Sequence, residues 1–321
     1  MPQALVTGCA GFIGSHTVER LLADGYRVTG IDSFSKFYPR EVKERNMHSF
    51  IKHPKFRFEE LDLRDRKGLV SVTAEYDIVV HLAAKAGVRP SIKAPHDYID
   101  VNIHGTNNIL EIMREGGANK LFFASSSSVY GNQKSIPFKE DAVEDLPISP
   151  YAYSKRAGEL LCHTNHHLYN IDVLCARFFT VYGPRQRPDL AIHKFVKKIW
   201  NDEPIQMFGD GSTSRDYTFI QDTLSGIIGG IQYLRTHDGV FDIVNLGNNT
   251  PVKLSELIQK IGEAVGKTPK VEQLPMQQGD VDITYADIAR AQQLLGYQPT
   301  TSIDDGLKAF VDWFEAQFHL H

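Results

Sequence analysis

The first apolar segment of the chain runs directly into a glycine-rich turn and then into a helix-like pattern. Residues 4–7 (Ala-Leu-Val-Thr) suit a buried strand, and glycines follow at positions 8, 11 and 14. Glycine permits a tight turn and close backbone approach to a pyrophosphate, while the following helix presents free N–H groups at the positive end of its dipole. The pattern predicts a Rossmann-type dinucleotide site. Its expected contacts are Gly8, Gly11, Phe12, Ile13 and Gly14.

Short apolar runs recur between helix-like patterns, at residues 28–31, 56–58, 78–82, 121–124 and 173–176. Such alternation indicates βαβ units and a parallel sheet. After Pro184, proline and glycine interrupt shorter elements. We therefore predict an α/β fold with a Rossmann-type doubly wound parallel sheet. Residues 1–180, with returns from about 215–245, form the NAD-binding domain, and residues 181–321 form mainly a smaller C-terminal α/β substrate-binding lobe.

Composition narrows the class of protein. The 321 residues carry a formal net charge of -4, and basic residues are spread along the chain, so neither nucleic acid nor an anionic membrane is an expected partner. Cys9, Cys162 and Cys175 show no C-x-x-C spacing, which disfavours a disulfide framework or a structural zinc site. His163 and His167 lie four residues apart without a third ligand nearby, so no metal is expected. With no signal-peptide pattern or long apolar run, we expect a cytoplasmic protein.

The second predicted strand ends at Asp32, whose carboxylate suits the ribose hydroxyls of adenosine and would repel a 2'-phosphate. NAD is therefore favoured over NADP, although the cation of nearby Lys36 would tolerate a phosphate. The alternative is that Asp32 only caps a turn. His81, in the fourth strand, is expected to be a packed residue rather than a catalyst. The other predicted cofactor contacts are Asp62, Leu63, Ala83 and Ala84.

A tyrosine and a lysine are spaced to share one face of a helix. Ser149 and Pro150 suit the N-cap and first position of that helix, so Tyr151 and Lys155 fall in its first turns. A lysine ammonium four residues away can lower the pKa of the phenol and make it a usable base. Both residues would then contact the cofactor. The alternative is that Tyr151 only packs, since Y-x-x-x-K is common by chance.

Together these motifs resemble the extended short-chain dehydrogenases/reductases that act on nucleotide sugars. In that family the tyrosine is the base, the lysine holds the nicotinamide ribose, and a serine or threonine orients the reacting sugar oxygen. By position, Ser126 matches that hydroxyl. The resemblance spans nearly the full length through T-G-x-x-G-F-I-G, Asp62-Leu63-Arg64, His81-Leu82-Ala83-Ala84, S-x-x-V-Y-G, Tyr151-x-x-x-Lys155 and Arg215-Asp216-Tyr217.

The residues after Ser126 distinguish reactions within the resemblance. The 4,6-dehydratases carry an Asp-Glu pair here, and UDP-glucuronate decarboxylases carry a glutamate, whereas this chain has Ser127 and Ser128. With no acid available, oxidation at C4 followed by return of the hydride is expected. The resemblance therefore implies an NAD-dependent 4-epimerase of a UDP-sugar that works through a transient 4-keto intermediate.

Three hydroxyl side chains indicate which sugar the site binds. Thr180 stands where related epimerases of neutral sugars carry asparagine, and together with Ser127 and Ser128 it offers donors for a C6 carboxylate. This resembles UDP-glucuronate 4-epimerases, which convert UDP-glucuronate to UDP-galacturonate. The alternative is that these hydroxyls only satisfy a loop backbone.

Further substrate contacts follow from the resemblance. Arg185 and Arg215 are expected at the nucleotide diphosphate, with surface ion pairs as the alternative. Gln277 stands in the region where galactose epimerases carry another arginine. Arg89 and Asp280 complete the predicted substrate side.

Leucines at positions 160, 161 and 168 make the Tyr151 helix amphipathic, and relatives dimerise through a helical bundle at this place, so a homodimer is expected. Packing within one chain explains the pattern equally well. Three other functions stay open. They are 4-epimerisation of neutral UDP-N-acetylglucosamine or UDP-glucose, a non-catalytic NAD-binding regulatory protein, and a net dehydrogenase that would consume NAD stoichiometrically.

Overall fold

A computed structural model describes residues 1–142, 145–275 and 281–318 of the chain. The strands are β1 (Gln3–Thr7), β2 (Arg27–Asp32), β3 (Phe56–Glu60), β4 (Ile78–His81), β5 (Lys120–Ser126), β6 (Asp172–Phe178), β7 (Thr180–Tyr182), β8 (Ile205–Phe208), β9 (Ser214–Phe219), β10 (Phe241–Leu246), β11 (Pro251–Lys253) and β12 (Val271–Leu274). The helices are α1 (Phe12–Ala23), α2 (Arg40–Met47), α3 (Arg66–Leu69), α4 (Val88–Lys93), α5 (Pro95–Tyr98), α6 (Gly105–Gly116), α7 (Pro150–Tyr169), α8 (Ala191–Trp200), α9 (Ile220–Thr236), α10 (Leu254–Val265), α11 (Ala289–Leu295) and α12 (Ile303–Phe318).

Seven strands form one parallel sheet in the order β10-β6-β5-β4-β1-β2-β3. The chain proceeds from β1 outward through β2 and β3, and then restarts at β4 on the other side of β1. In open α/β sheets, ligands bind beyond the carboxyl ends of the strands where the direction of winding reverses. The glycine-rich turn after β1 lies at this reversal. The predicted doubly wound parallel sheet is confirmed.

Both faces of the sheet are covered by helices, which explains the near-continuous apolar runs in its strands. Successive residues of β1 belong to different layers, since Ala4 and Val6 pack with one core cluster and Leu5 with another. The first cluster includes residues of α1 and α9, and the second includes residues of α6 and α7. Helix α7, which carries Tyr151 and Lys155, is therefore fixed against the sheet by apolar packing.

The second half of the chain forms a smaller α/β region beside the sheet. Strands β11, β9 and β7 form a three-stranded sheet, and β12 pairs in parallel with β8. Helices α8, α10 and α12 pack with these strands in a third core cluster, which also contains Phe12 from the start of α1. The chain returns to the large sheet through α9 and β10, which pairs with β6. Division of the chain into two domains near residue 180 stays a prediction.

Candidate active site

A cleft of about 510 Å³ runs along the carboxyl ends of β1, β2, β4 and β5 and continues against the smaller region. It gathers most of the residues that the sequence predicts. The predicted residues that line it are Gly8, Gly11, Phe12, Ile13, Gly14, Asp32, Asp62, Leu63, Ala83, Ala84, Ser126, Ser127, Ser128, Tyr151, Lys155, Thr180 and Arg215. Lys36, Arg89 and Arg185 are not among the cleft-lining residues. Asp280 and Gln277 lie outside the described residues.

The glycines of the turn after β1 leave no room for side chains. Gly8 has a φ of +74°, and a Cβ there would lie 2.9 Å from the backbone of Ala83. A Cβ at Gly14 would lie 2.0 Å from the carbonyl oxygen of Gly8. Gly11 is the N-cap of α1 and has no side chain to cap the first N–H groups of the helix, whose first residues line the cleft. This cradle fits the diphosphate of a dinucleotide.

Asp32 carries the second part of the predicted cofactor site. Its carboxylate accepts hydrogen bonds from the backbone N–H groups of Ala10 and Phe34 at 3.3 and 2.9 Å. The buried ammonium of Lys43, on α2, lies 3.5 Å from the same carboxylate and 3.5 Å from the hydroxyl of Ser35.

The lysine that the sequence predicts beside Asp32 is Lys36, whereas the structure places Lys43 there. Lys36 is exposed, and Lys43 lines the cleft. The sequence REVKERNM of α2 is mostly polar and does not distinguish its buried lysine from its solvated charges. Lys43 is therefore the cation beside Asp32, while Arg64 lines the cleft next to Asp62.

Ser149 caps α7 as predicted, since its Oγ accepts a hydrogen bond from the N–H of Ala152 at 3.1 Å. This start places Tyr151 and Lys155 at the cleft. The hydroxyl of Tyr151 shares a hydrogen bond with the side chain of Ser126. The Nζ of Lys155 donates to the carbonyl oxygen of Ala124 at 2.7 Å.

The serine run after β5 forms one turn of 3₁₀-helix (Ser127–Tyr130). The Oγ of Ser126 accepts hydrogen bonds from the N–H and the Oγ of Ser128 at 3.2 and 3.0 Å. Ser126 therefore satisfies the backbone N–H of Ser128, and the hydroxyl of Ser128 donates to Ser126 rather than to the loop backbone. Ser127 and Thr180 line the cleft beside it.

Burial dominates the pKa values of the two reacting groups. It raises the pKa of Tyr151, and this outweighs the hydrogen bond to Ser126 and the positive charge of Arg187. It lowers the pKa of Lys155 to about 8, against the opposing effects of Cys162 and Glu159. The expected lowering of the Tyr151 pKa by Lys155 is therefore not found in the chain alone. An ionised Tyr151 requires a further positive charge at the site.

Two arginines of the turn after β7 point to different places. The guanidinium of Arg185 binds the carboxylate of Glu19 on α1 at 2.8 and 2.8 Å, away from the cleft. Arg187, which the sequence reasoning missed, lines the cleft. It pairs with Asp189 at 2.9 and 2.6 Å and lies 4.9 Å from the centre of the Phe37 ring. The R-x-R spacing indicates that one of the two arginines could face the cleft. The left-handed backbone at Arg185 and its bond to Glu19 leave Arg187 as the one that does.

The remaining predicted contacts have defined places. Arg215 lines the cleft and donates to the carbonyl of Ser214 at 2.9 Å. Arg89 lies with its guanidinium 5.3 Å from the centre of the Phe208 ring. His81 is a packed residue, as predicted: its ring nitrogens lie 2.7 and 3.0 Å from the hydroxyls of Thr7 and Thr106, and burial lowers its pKa to about 3.

Two properties of the described residues bear on metal binding and on membrane insertion. No group of three or more His, Cys, Asp or Glu side chains there is placed to hold a metal ion. In the same part of the chain, no helix has the length and apolar character needed to cross a membrane.

Comparison with known proteins settles the family. Residues 5–310 match the family described as GDP-mannose 4,6 dehydratase. This chain belongs to that family. The membership confirms the predicted resemblance to extended short-chain dehydrogenases/reductases.

Relatives within the GDP-mannose 4,6-dehydratase family include several epimerases. The chain is 42% identical over 323 residues to a UDP-glucuronate 4-epimerase of Thermodesulfobacterium geofontis, covering 100% of this chain and 98% of that protein. A crystal structure of UDP-glucuronic acid 4-epimerase from Bacillus cereus, in complex with UDP-glucuronic acid and NAD, matches with a TM-score of 0.91 and 37% identity over 98% of this chain and 99% of that chain. UDP-glucose 4-epimerase from Thermotoga maritima, with UDP-glucose, matches with a TM-score of 0.88 and 28% identity over 98% of this chain and 99% of that chain.

Few acidic side chains line the described part of the cleft. Among the described residues that line it, the carboxylates are those of Asp32 and Asp62. Asp32 is the last residue of β2 and Asp62 follows β3, so both lie at the predicted adenosine end. Around Ser126 and Tyr151 the polar side chains among the described lining residues are hydroxyls and cations, set among apolar ones such as Phe178 and Phe179.

Proposed function

We propose that this chain is an NAD-dependent 4-epimerase that interconverts UDP-glucuronate and UDP-galacturonate through a transient 4-keto sugar. One observation carries the proposal. Ser126, Tyr151 and Lys155 meet in the cleft beside the hydroxyls of Ser127 and Thr180, and no described carboxylate lines that end. Such a site can oxidise and reduce C4 but has no acid for eliminating water.

The residues present fit NAD. The Gly8 and Gly14 cradle accepts a diphosphate, Asp32 can accept hydrogen bonds from ribose hydroxyls, and Lys155 can donate to the second ribose. When bound, NAD supplies a hydride acceptor at C4 and later returns the hydride. Its positive nicotinamide also provides the further charge that Tyr151 needs to ionise.

The protein residues then move one proton. Tyr151 takes the proton of the C4 hydroxyl, and Ser126, whose side chain lies beside the Tyr151 hydroxyl, orients that sugar oxygen by a hydrogen bond of its own. The 4-keto sugar turns its other face before the hydride returns, and Tyr151 gives the proton back. The nucleotide must therefore be held firmly and the sugar loosely. Arg187 and Arg215 line the cleft and supply positive charge for the diphosphate.

For a glucuronate substrate, the 4-keto sugar is a β-keto acid that tends to lose carbon dioxide. Loss is fastest when the bond to the carboxylate aligns with the carbonyl π system. Ser127 and Thr180, and Ser128 once its hydroxyl turns away from Ser126, can donate hydrogen bonds that hold the carboxylate out of that alignment. Epimerisation then proceeds without decarboxylation.

A substrate panel tests this proposal. We expect kcat/KM for UDP-glucuronate to exceed that for UDP-glucose and UDP-N-acetylglucosamine by about 100-fold, because the half-buried hydroxyl donors lose their charged partner when the sugar has no carboxylate. A preference for either neutral sugar would contradict the carboxylate assignment. Accumulation of NADH in proportion to product would contradict the epimerase itself.

The protein is further proposed to act as a homodimer in the cytoplasm. On α7, Leu160, Leu168 and Tyr169 are 54%, 57% and 48% exposed, which is unusual for a set of large apolar side chains on one helix. The three cysteines are free thiols, which suits a reducing compartment. Light scattering should give twice the chain mass of 36.1 kDa. The wild type at chain mass would exclude the dimer, and cell fractionation checks the compartment.

A further inference from the structure

The turn between β7 and α8 contains two residues with left-handed backbone. Gly183 has a φ of +136°, and a Cβ there would lie 2.6 Å from the side chain of Ile220. Arg185 has a φ of +67°. A residue other than glycine in this region is uncommon and persists where surrounding contacts hold it. The contacts of Arg185 are therefore the ones to explain.

Arg185 is held by α1, the helix that begins at the glycine-rich turn. Its two terminal nitrogens donate to the two carboxylate oxygens of Glu19 at 2.8 Å each, and one of them lies 3.4 Å from the Oγ of Ser15. Burial raises the pKa of Glu19, but hydrogen bonds from Arg185 and Ser49 outweigh it and hold the pKa below its ordinary value. The pair is thus charged at neutral pH, and its geometry is the bidentate form that fixes orientation as well as distance.

A second bond joins the same two segments. The Nε2 of His16 lies 3.0 Å from the carbonyl oxygen of Pro184, the residue before Arg185. Burial lowers the pKa of His16 to about 4, so the ring is neutral near pH 7 and donates to the carbonyl from Nε2. His16 and Glu19 are three residues apart and share one face of α1. Two successive residues of the turn are therefore bonded to that face.

Both of the joined segments contribute residues to the lining of the cleft. The first residues of α1, Phe12 to Gly14, line the cofactor end. Two residues beyond Arg185, Arg187 lines the cleft, and its charge acts on catalytic Tyr151. Because Arg187 follows Arg185 by two residues, the attachment of the turn to α1 constrains the backbone from which the Arg187 guanidinium extends to Asp189 and the cleft.

We propose that Arg185 is a positioning residue, which fixes the turn on α1 through Glu19 and so holds Arg187 in place to bind the UDP-sugar. Arg185 itself touches no ligand. The inference rests on the proposed function, because the ligand it concerns is the UDP-sugar. Its rival is direct binding of the diphosphate by Arg185, as family resemblance suggests.

Glu19→Gln separates the two roles, because it keeps the shape of the side chain but releases the charge of Arg185. Direct binding predicts a KM for UDP-glucuronate that is unchanged or lower. Positioning predicts a KM that is about tenfold higher, with kcat and the Kd of NAD within about twofold, since a displaced binding group affects ground state and transition state together. Arg185→Gln should have the same effect, and the double variant should be no worse than either single one.

Two further variants exclude a general loss of structure. The exchange Glu19→Arg with Arg185→Glu should restore at least half of the lost affinity. Asp24→Asn breaks the exposed pair of Asp24 with Arg20 on the same helix, at 3.0 Å, and should leave KM unchanged. Rescue by exchange would not be expected if Arg185 bound the anionic ligand itself.

Calorimetric binding of UDP keeps this test independent of turnover. If the wild type does not turn over UDP-glucuronate, the proposed function fails, and the Kd of UDP in Glu19→Gln still decides the role of Arg185. Unchanged KM and UDP affinity in folded Glu19→Gln would overturn the positioning role. An equal loss of NAD affinity would also overturn it, since the effect would then lie in α1. Should Arg185→Gln fail to fold, the half-buried Glu19 provides the deciding variant.

Discussion

The carboxylate of Glu159 accepts two hydrogen bonds from the guanidinium of Arg177, at 2.8 and 2.9 Å, and both side chains are buried. Ser125, the residue before Ser126, donates to the same carboxylate at 2.5 Å. Glu159 stands four residues after Lys155 on α7, while Arg177 is on β6. The pair therefore joins three elements directly beneath the reacting groups.

Replacing Glu159 with glutamine should strongly destabilise the fold. The change would leave the Arg177 charge buried without a counterion, which typically costs about 3–5 kcal/mol. The free energy of unfolding from urea titration checks this. As a control, Asp202→Asn breaks an exposed pair with Lys267 at 2.9 Å and should change stability by less than about 1 kcal/mol. Similar small losses in both variants would mean that the buried pair does not support the site.

Removing the hydroxyl of Tyr151 should abolish turnover while leaving binding nearly intact. For Tyr151→Phe we expect kcat to fall by about 10³-fold or more, because the proton acceptor at C4 is lost. Steady-state assays with UDP-glucuronate give kcat and KM. Tyr153→Phe is the matched control, since Tyr153 is on the same helix and is not among the cleft-lining residues. A loss of less than tenfold in Tyr151→Phe would assign the proton transfer to another group.

Binding of NAD should weaken as the pH rises past about 8. Burial lowers the pKa of Lys155 to about 8, so its ammonium is charged below this pH and neutral above it. The charged form donates to the ribose, and its loss should weaken affinity by up to about tenfold per pH unit. His16 and His81, with pKa values of about 4 and 3, stay neutral throughout.

Fluorescence titration of NAD from pH 6 to 10 measures this effect. Lys155→Met should bind NAD more weakly at pH 7 and lose the decline around pH 8. A decline that persists in that variant would place the titrating group elsewhere.

Asp32 should be the residue that excludes NADP. Its neighbour Lys43 should attract the 2'-phosphate once the carboxylate is removed. In Asp32→Ser the repelling carboxylate is gone, and Lys43 keeps the hydroxyl of Ser35 at 3.5 Å as a polar neighbour. We expect the affinity for NAD to fall and that for NADP to rise, each by about tenfold, through the charge of Lys43. Adding Lys43→Met should remove the gain for NADP. An NADP affinity that stays the same in both variants would contradict the assignment of Asp32 and Lys43 to the adenosine end of the site.

The hydroxyl of Thr180 should matter for a carboxylated sugar and little for a neutral one. Thr180→Val is expected to raise KM for UDP-glucuronate by about tenfold, since a hydrogen bond to a charged group is lost, and to increase the share of pentose product. KM for UDP-glucose, or its inhibition constant, should change little. Thr218→Val is the control, because its buried hydroxyl finds no hydrogen-bond partner among the described residues. Equal effects of Thr180→Val on both sugars would contradict the carboxylate role.

The sheet and the centre of the site could be predicted because their signals are local. The glycine spacing, the cap at Ser149 and the i, i+4 spacing of Tyr151 and Lys155 each follow from one short segment. Parallel strands then bring the segments together at one edge. The predicted α/β fold, NAD and the epimerase reaction agree with the family and its relatives.

The misplaced residues depend on contacts between distant segments. Choosing Lys43 over Lys36 requires knowing which residue of α2 reaches Asp32 at the end of β2. Choosing Arg187 over Arg185 requires the left-handed backbone at Arg185 and its partner Glu19, which is 166 positions away. The pKa of Tyr151 is set by burial, and burial is a property of the assembled fold. Spacing in the sequence carries none of this information.

Product analysis of UDP-glucuronate incubated with the purified protein and NAD is the most direct test of the proposed reaction. We expect UDP-galacturonate in equilibrium with UDP-glucuronate, little UDP-pentose, and no net accumulation of NADH. UDP-xylose or its 4-keto form as the main product would contradict it.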